Sequence, residues 1–324
     1  MDNLVVSASP HIRDKTTTSS IMRDVLIALV PSFVASNILF GLRSALIVAV
    51  CVVTCLLCEW LFEKIMKWPN TLGDLSAAVT GVLLAFNLPV TIPIWQAVLG
   101  SAIAIVVVKQ IFGGIGKNFA NPAVTARVVM FLAFSVTMTN WVTPDGALST
   151  MAATSDAVSA ATSDAVSSAT PLALITNGNI DALPPIKDML FGLRGGALGE
   201  TCSLALLIGG IYLLVRKVIT WHIPVAFLVT VFGLTAALGM QPVYQMLSGG
   251  LLLSAFFMAT DYVTSPSTGV AKLIFGFGCG CITVLVRAFG NYPEGVSYAI
   301  LLMNILVPLI TLATRRMPLG GVKK

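Results

Sequence analysis

Charge is scarce in this chain. Only 10% of its 324 residues are Asp, Glu, Lys or Arg, against 56% hydrophobic, and the mean hydropathy is +0.92. Soluble domains carry about 25% charged residues, so this composition excludes one and points to an integral membrane protein. The net charge of +5 does not indicate a nucleic-acid partner, because the basic residues sit mainly at the ends of apolar runs, where they report topology. A secretory signal peptide is not expected: residues 1–20 are polar, with His11, Arg13 and Lys15, and the first long apolar run begins at Ile21. The six cysteines all lie inside apolar runs. Cys51, Cys55 and Cys58 fall on one helix face, but an iron-sulfur site normally needs four ligands. They read as small, soft packing residues.

A spanning helix needs about 20 apolar residues. That ruler places segments at Ile21 to Phe40, Ser44 to Ile65, Leu72 to Leu88, Ile94 to Phe112 and Ala123 to Met138, then at Glu200 to Val215, Ile223 to Leu238, Gln245 to Thr260, Val270 to Phe289 and Val296 to Thr314. The expected fold is an all-α polytopic membrane protein of about ten transmembrane helices, in two inverted five-helix halves joined by a long external loop. Its parts are a cytoplasmic segment (1–20), the first half (21–138), the loop (139–199), the second half (200–314) and a cytoplasmic tail (315–324). Lys64, Lys67, Lys117, Arg216, Lys217 and the terminal Arg315, Arg316, Lys323 and Lys324 fall on one side, which makes both termini cytoplasmic. Arg43 and Arg287 run against that scheme. Matching Gly/Asn/Pro breaks, residues 113–122 and 290–295, are consistent with half-helix sites lining a cavity or with ordinary interhelical turns.

Between the apolar blocks lies a polar stretch, TSDAVSAATSDAVSSAT, residues 154–170. It is a tandem duplication of an octet, and its side chains bury too little surface to pack, so its hydroxyls are expected to be accessible. No His, Cys or Lys accompanies them, which argues against a self-activated nucleophile; no catalytic residue is assigned. Composition alone favours a plain surface loop; the sharper reading is an acceptor for a covalent group attached by another enzyme.

Ionisable residues inside spans are expensive and point to function. Glu59, Asp74, Lys109, Arg127, Asp261 and Arg287 qualify. Snorkelling to the interface is expected for at least half of Glu59, Lys109, Arg127 and Arg287, whereas Asp74 and Asp261 sit at corresponding ends of two short helices. Asp261 lies among Thr260, Thr264 and Ser265, hydroxyls that could help hold a cation, a proton or the polar edge of a ring.

These residues carry a resemblance. Gly73-Asp74, the run Lys117-Asn118-Phe119-Ala120-Asn121-Pro122, the heptad Asp164 to Thr170 and the run Phe256 to Asp261 are similar to the D subunit of the Rnf ion-translocating electron-transport complexes, a relative of the B subunit of Na+-translocating NADH:quinone reductase. The resemblance implies a bacterial inner-membrane subunit of a translocase that is not catalytic alone. It implies that Thr170 carries FMN through a phosphoester, with Asp164, Ser167 and Ser168 completing the pattern read by a flavin transferase. Thr162, in the first copy, is the runner-up acceptor, because Ala160 replaces the Gly or Ser of the pattern and Ser163 the following Pro. The partners implied are the other subunits of the complex, including a second covalent flavoprotein, and the coupled ion is Na+ or H+. A non-covalent riboflavin or FMN, or an ion, is implied near Asn118, Asn121, Asp261 and Thr264. Tyr262 stands where the family has proline after the aspartate. The rival reading is a flavin-free permease of small polar solutes with urea-channel-like architecture, which leaves the heptad without a role.

Overall fold

A computed structural model describes residues 16–144, 170–176, 183–290 and 294–314. The first block holds α1 (Thr18–Phe40), α2 (Leu42–Met66), α3 (Ser76–Phe86), α4 (Ile94–Ala102, continued by π turns over Ile103–Gln110), α5 (Pro122–Ala133) and α6 (Ser135–Met138). Two short helices follow, α7 (Pro171–Thr176) and α8 (Ile186–Phe191). The last block holds α9 (Ser203–Val215), α10 (His222–Ala237), α11 (Pro242–Leu247), α12 (Leu251–Leu253, continued by π turns over Ser254–Met258), α13 (Gly269–Phe289) and α14 (Val296–Ala313).

Four of these, α1, α2, α13 and α14, are long and apolar enough to cross a bilayer, and five shorter apolar helices accompany them. Their outward faces carry exposed Ile38, Leu42, Val53, Phe277, Ile305 and Leu309, a surface suited to lipid rather than water. The helix starts follow capping chemistry. The Thr17 hydroxyl accepts from the Ser20 N–H, Thr268 from Ala271, and Asn121 from Ala123 and Val124 with Pro122 in the first turn.

Three expected spans are interrupted. The Leu72 to Leu88 segment enters α3 through Leu75 at φ 64°, and Gln245 to Thr260 is cut by Gly249 and Gly250, both at φ 66°. A left-handed residue cannot continue a right-handed helix, and glycine takes that conformation without a Cβ clash. Ala123 to Met138 breaks at Phe134, between α5 and α6. The end of the long connection is not an exposed loop. Residues 194–200 are largely buried, and the N–H groups of Leu198 and Gly199 donate to the Leu88 and Phe86 carbonyls at 3.1 and 2.9 Å. A helix end inside the protein has orphan carbonyls, and this segment satisfies them.

Backbones meet where side chains are smallest. A Cβ on Gly209 of α9 would collide with the Ala28 carbonyl of α1. Small residues let helices approach in this way where no hydrophobic force draws them together. Cys51 and Cys55 are fully buried free thiols in the same kind of packing role, and Cys55 Sγ lies 3.9 Å from the Ser101 carbonyl. Gly209→Val is expected to destabilise the protein by at least about 2 kcal/mol, the usual scale of overpacking. Thermal unfolding in detergent checks it, with Gly233→Val, where a Cβ meets nothing within 4 Å, as the control.

Candidate functional site

The polar side chains gather at two ends of the helical body. At the first, Asn118, Asn121 and Asp261 line one cleft with Ser76, Thr80, Lys109, Phe256 and Phe257. Thr264 is buried beside this cleft and donates to Asp261 Oδ2 at 3.0 Å. The sequence therefore nominated four residues that the fold brings together. Asn121 does more than cap α5: its Nδ2 donates to the Met258 carbonyl at 3.2 Å. Asn304, which sequence reasoning missed, completes the wall. With its amide oriented so that both groups are satisfied, its Nδ2 donates to the Thr264 carbonyl and its Oδ1 accepts from the Asn121 N–H, both at 3.1 Å. An Asn in the middle of an apolar helix was the available signal.

Next to the cleft lies a buried ion pair. Lys109 Nζ stands 2.6 Å from both Glu59 Oε1 and Ser76 Oγ, and Gln110 Nε2 donates to the same Glu59 oxygen at 2.9 Å. Ser76 passes the contact on, its hydroxyl and N–H donating to Asp74 Oδ1 at 2.6 and 2.8 Å. Asp74 thus caps the entry to α3. Glu63 accepts from the Thr71 hydroxyl and N–H beside them.

The snorkelling expectation fails for all four residues it covered. Glu59, Lys109, Arg127 and Arg287 are each 4% exposed or less and each is held by protein groups. Arg127 bridges Glu294 and donates to Asn87 Oδ1. Arg287 donates to the Gln245 carbonyl at 2.6 Å, to Gln245 Oε1 at 3.1 Å and to the Ser248 carbonyl at 3.0 Å. Broken helices supply the free carbonyls that these cations need, so the charges stay inside. Arg43, against the topology scheme, donates to the Val90 and Ile92 carbonyls after α3.

Thr170 belongs to this second group. It is 8% exposed, less open than its polar stretch suggested, and it stands at the start of α7, where its Oγ1 accepts from the Ala173 N–H at 3.3 Å. Leu172 seats α7 on the break after α11: the point where Gly249 would carry a Cβ is 2.5 Å from Leu172 Cδ1 and 2.7 Å from Arg287 Nη2. Thr162, Asp164, Ser167 and Ser168 lie outside the described residues, as do positions 291–293 of the second Gly/Asn/Pro break.

Residues 5–320 match the model of the NQR2, RnfD, RnfE family. The chain belongs to that family. Among curated proteins it is similar to the D subunit of the Na(+)-translocating ferredoxin:NAD(+) oxidoreductase complex of Acetobacterium woodii, 44% identical over 99% of this chain and 96% of the relative. It is also similar to the D subunit of the proton-translocating ferredoxin:NAD(+) oxidoreductase complex of Clostridium ljungdahlii, 39% identical over 97% and 96%. The D subunit of the ion-translocating oxidoreductase complex of Cronobacter sakazakii is 37% identical over 96% and 97%. Two relatives this near are named for different ions, so membership of the NQR2, RnfD, RnfE family does not select the cation.

Lys109→Met, which leaves the Glu59 carboxylate buried without its ion-pair partner, is expected to cost about 3–5 kcal/mol. Lys109→Met combined with Glu59→Leu should recover most of that loss in thermal unfolding.

Proposed function

We propose that this chain is the D-type subunit of an ion-translocating ferredoxin:NAD+ oxidoreductase complex in a bacterial inner membrane. In this reading Thr170 carries FMN through a phosphoester, and the subunit takes part in an electron relay between ferredoxin- and NAD-linked partner subunits, coupled to Na+ or H+ movement. Similarity to D-type relatives over nearly the whole chain, together with the unbroken heptad Asp164 to Thr170, carries the reading. A second covalent flavoprotein is the expected partner, and a flavin transferase the expected maturation enzyme.

The residues around Thr170 suit the group. The threonine lies at the start of a short helix fixed by Leu172, so a tether there is held against the body of the protein. An ester at Oγ leaves an oxygen that can still accept from Ala173. The guanidinium of Arg287 lies beside Leu172, which suits an anionic phosphodiester. When bound, FMN supplies the redox chemistry; the chain supplies tethering, orientation and a dry, charged surround. The cleft lined by Asn118, Asn121 and Asp261 is the place proposed for a second, non-covalent flavin or the ion.

The halves are read as inverted repeats. Each has a short helix entered through a left-handed residue, Leu75 before α3 and Gly250 before α12. Arg127 of α5 reaches Glu294, next to the start of α14, while Asn304 of α14 reaches the N–H of Asn121 at the start of α5. That exchange supports the reading, because a two-fold axis in the membrane plane would relate the two contacts. With both termini cytoplasmic, Thr170 faces the periplasm.

Co-expression with a flavin transferase, followed by flavin fluorescence of the denatured protein in a gel, tests the acceptor. The wild type and Thr162→Ala should fluoresce and Thr170→Ala should not. A dark wild type, or a bright Thr170→Ala, removes the assignment.

A further inference from the structure

We infer that Arg287 and Arg194 form a buried cationic seat for the phosphodiester that joins the flavin to Thr170. The inference rests on the Thr170 reading and adds to it the residues that hold the anion. Both arginines are 4% exposed, yet neither has a carboxylate within 4 Å among the described residues. Arg287 is bound by the carbonyls of Gln245 and Ser248 and by Gln245 Oε1, and its Nε has no partner among the described residues. Arg194 is bound by the Ser248 hydroxyl at 3.1 Å and by the carbonyls of Glu200, Leu247 and Thr201. A buried guanidinium held only by neutral oxygens keeps its whole charge, which is costly unless an anion compensates it.

The neighbouring carboxylates of Glu294 and Glu200 lie beyond ion-pair distance of Arg287 and Arg194 and offset their charge only in part. Glu294 is bridged to Arg127. Glu200 is 5% exposed, its Oε2 lacks a hydrogen-bond partner among the described residues, and it faces Gly250 together with Arg127 Nη1. Among the described residues, three buried arginines thus meet two buried glutamates, leaving one positive charge over. A phosphodiester carries one negative charge, and Arg presents the fork geometry that phosphate oxygens accept. The position is also right: Arg287 Nη2 and Leu172 Cδ1 crowd the same point over Gly249, and Leu172 is two residues from Thr170. The other buried cation, Lys109, already has its carboxylate and is part of the opposite group.

The test is a thermal cycle on the full chain, expressed with and without flavin transferase. Wild type, Arg287→Gln, Arg194→Gln and Arg287→Lys are compared, with Arg43→Gln as a control away from the seat. Attachment should raise the melting temperature of wild type and Arg43→Gln alike. The rise should fall to less than half in Arg287→Gln and Arg194→Gln, and survive largely in Arg287→Lys, which keeps the charge. An equal rise in all five proteins overturns the assignment, and no rise in flavin-labelled wild type does so too. If Arg287→Gln does not fold, Arg194→Gln decides alone: a full rise there overturns the paired seat. A wild type that takes up no covalent flavin overturns the Thr170 reading itself, an outcome separable from the others by fluorescence of the same samples.

Discussion

A polar group inside a bilayer has no water to turn to, and three breaks in the described helices are built around that constraint. At the entry to α3 the break is held by Asp74, Ser76, Lys109 and Glu59 in one connected set. The break between α11 and α12 is held by Arg287 and Arg194, which donate to the carbonyls of Gln245, Leu247 and Ser248. The end of α3 is held by backbone N–H groups of residues 198 and 199. Irregular backbone at this depth is stable only because cations and amides, themselves costly to bury, find their partners there. The polar groups at the breaks are the same ones that make candidate sites.

The ties between the first and last blocks of the chain are also polar. Arg127 joins α5 to Glu294 and to Asn87; Asn121 joins the start of α5 to the Met258 carbonyl; Asn304 joins α14 back to Asn121. Asn87 Nδ2 additionally lies 3.6 Å from Met258 Sδ. These contacts run from the Asp261 cleft toward the Arg287 group beside Thr170.

Much of this was legible in the sequence because membrane segments announce themselves by length and hydropathy. Glycine and proline breaks announce irregular backbone, and Asn118, Asn121, Asp261 and Thr264 stood out as polar residues near such breaks. The fate of the charges was not legible. A small shift in depth separates a snorkelling Lys109 from a buried one, and only the packing of the π turns after α4 against α2 puts Glu59 opposite it. Arg194 and Glu200 lie in what reads as the end of an external loop, and only the tertiary fold returns that stretch to the carbonyl end of α3. Asn304 was hidden for the opposite reason: a single amide inside the 18-residue apolar helix α14 gives no local hint of its partners.

Peptide mass spectrometry reads directly whether Thr170 bears a covalent flavin. Trypsin should release residues 128–187 as one peptide, since no Lys or Arg lies between Arg127 and Lys187, and fragmentation can separate Thr162 from Thr170. That peptide is expected at its own mass plus FMN less one water, with the increment on Thr170. An unmodified peptide from protein matured with its transferase, or the increment on Thr162, contradicts it.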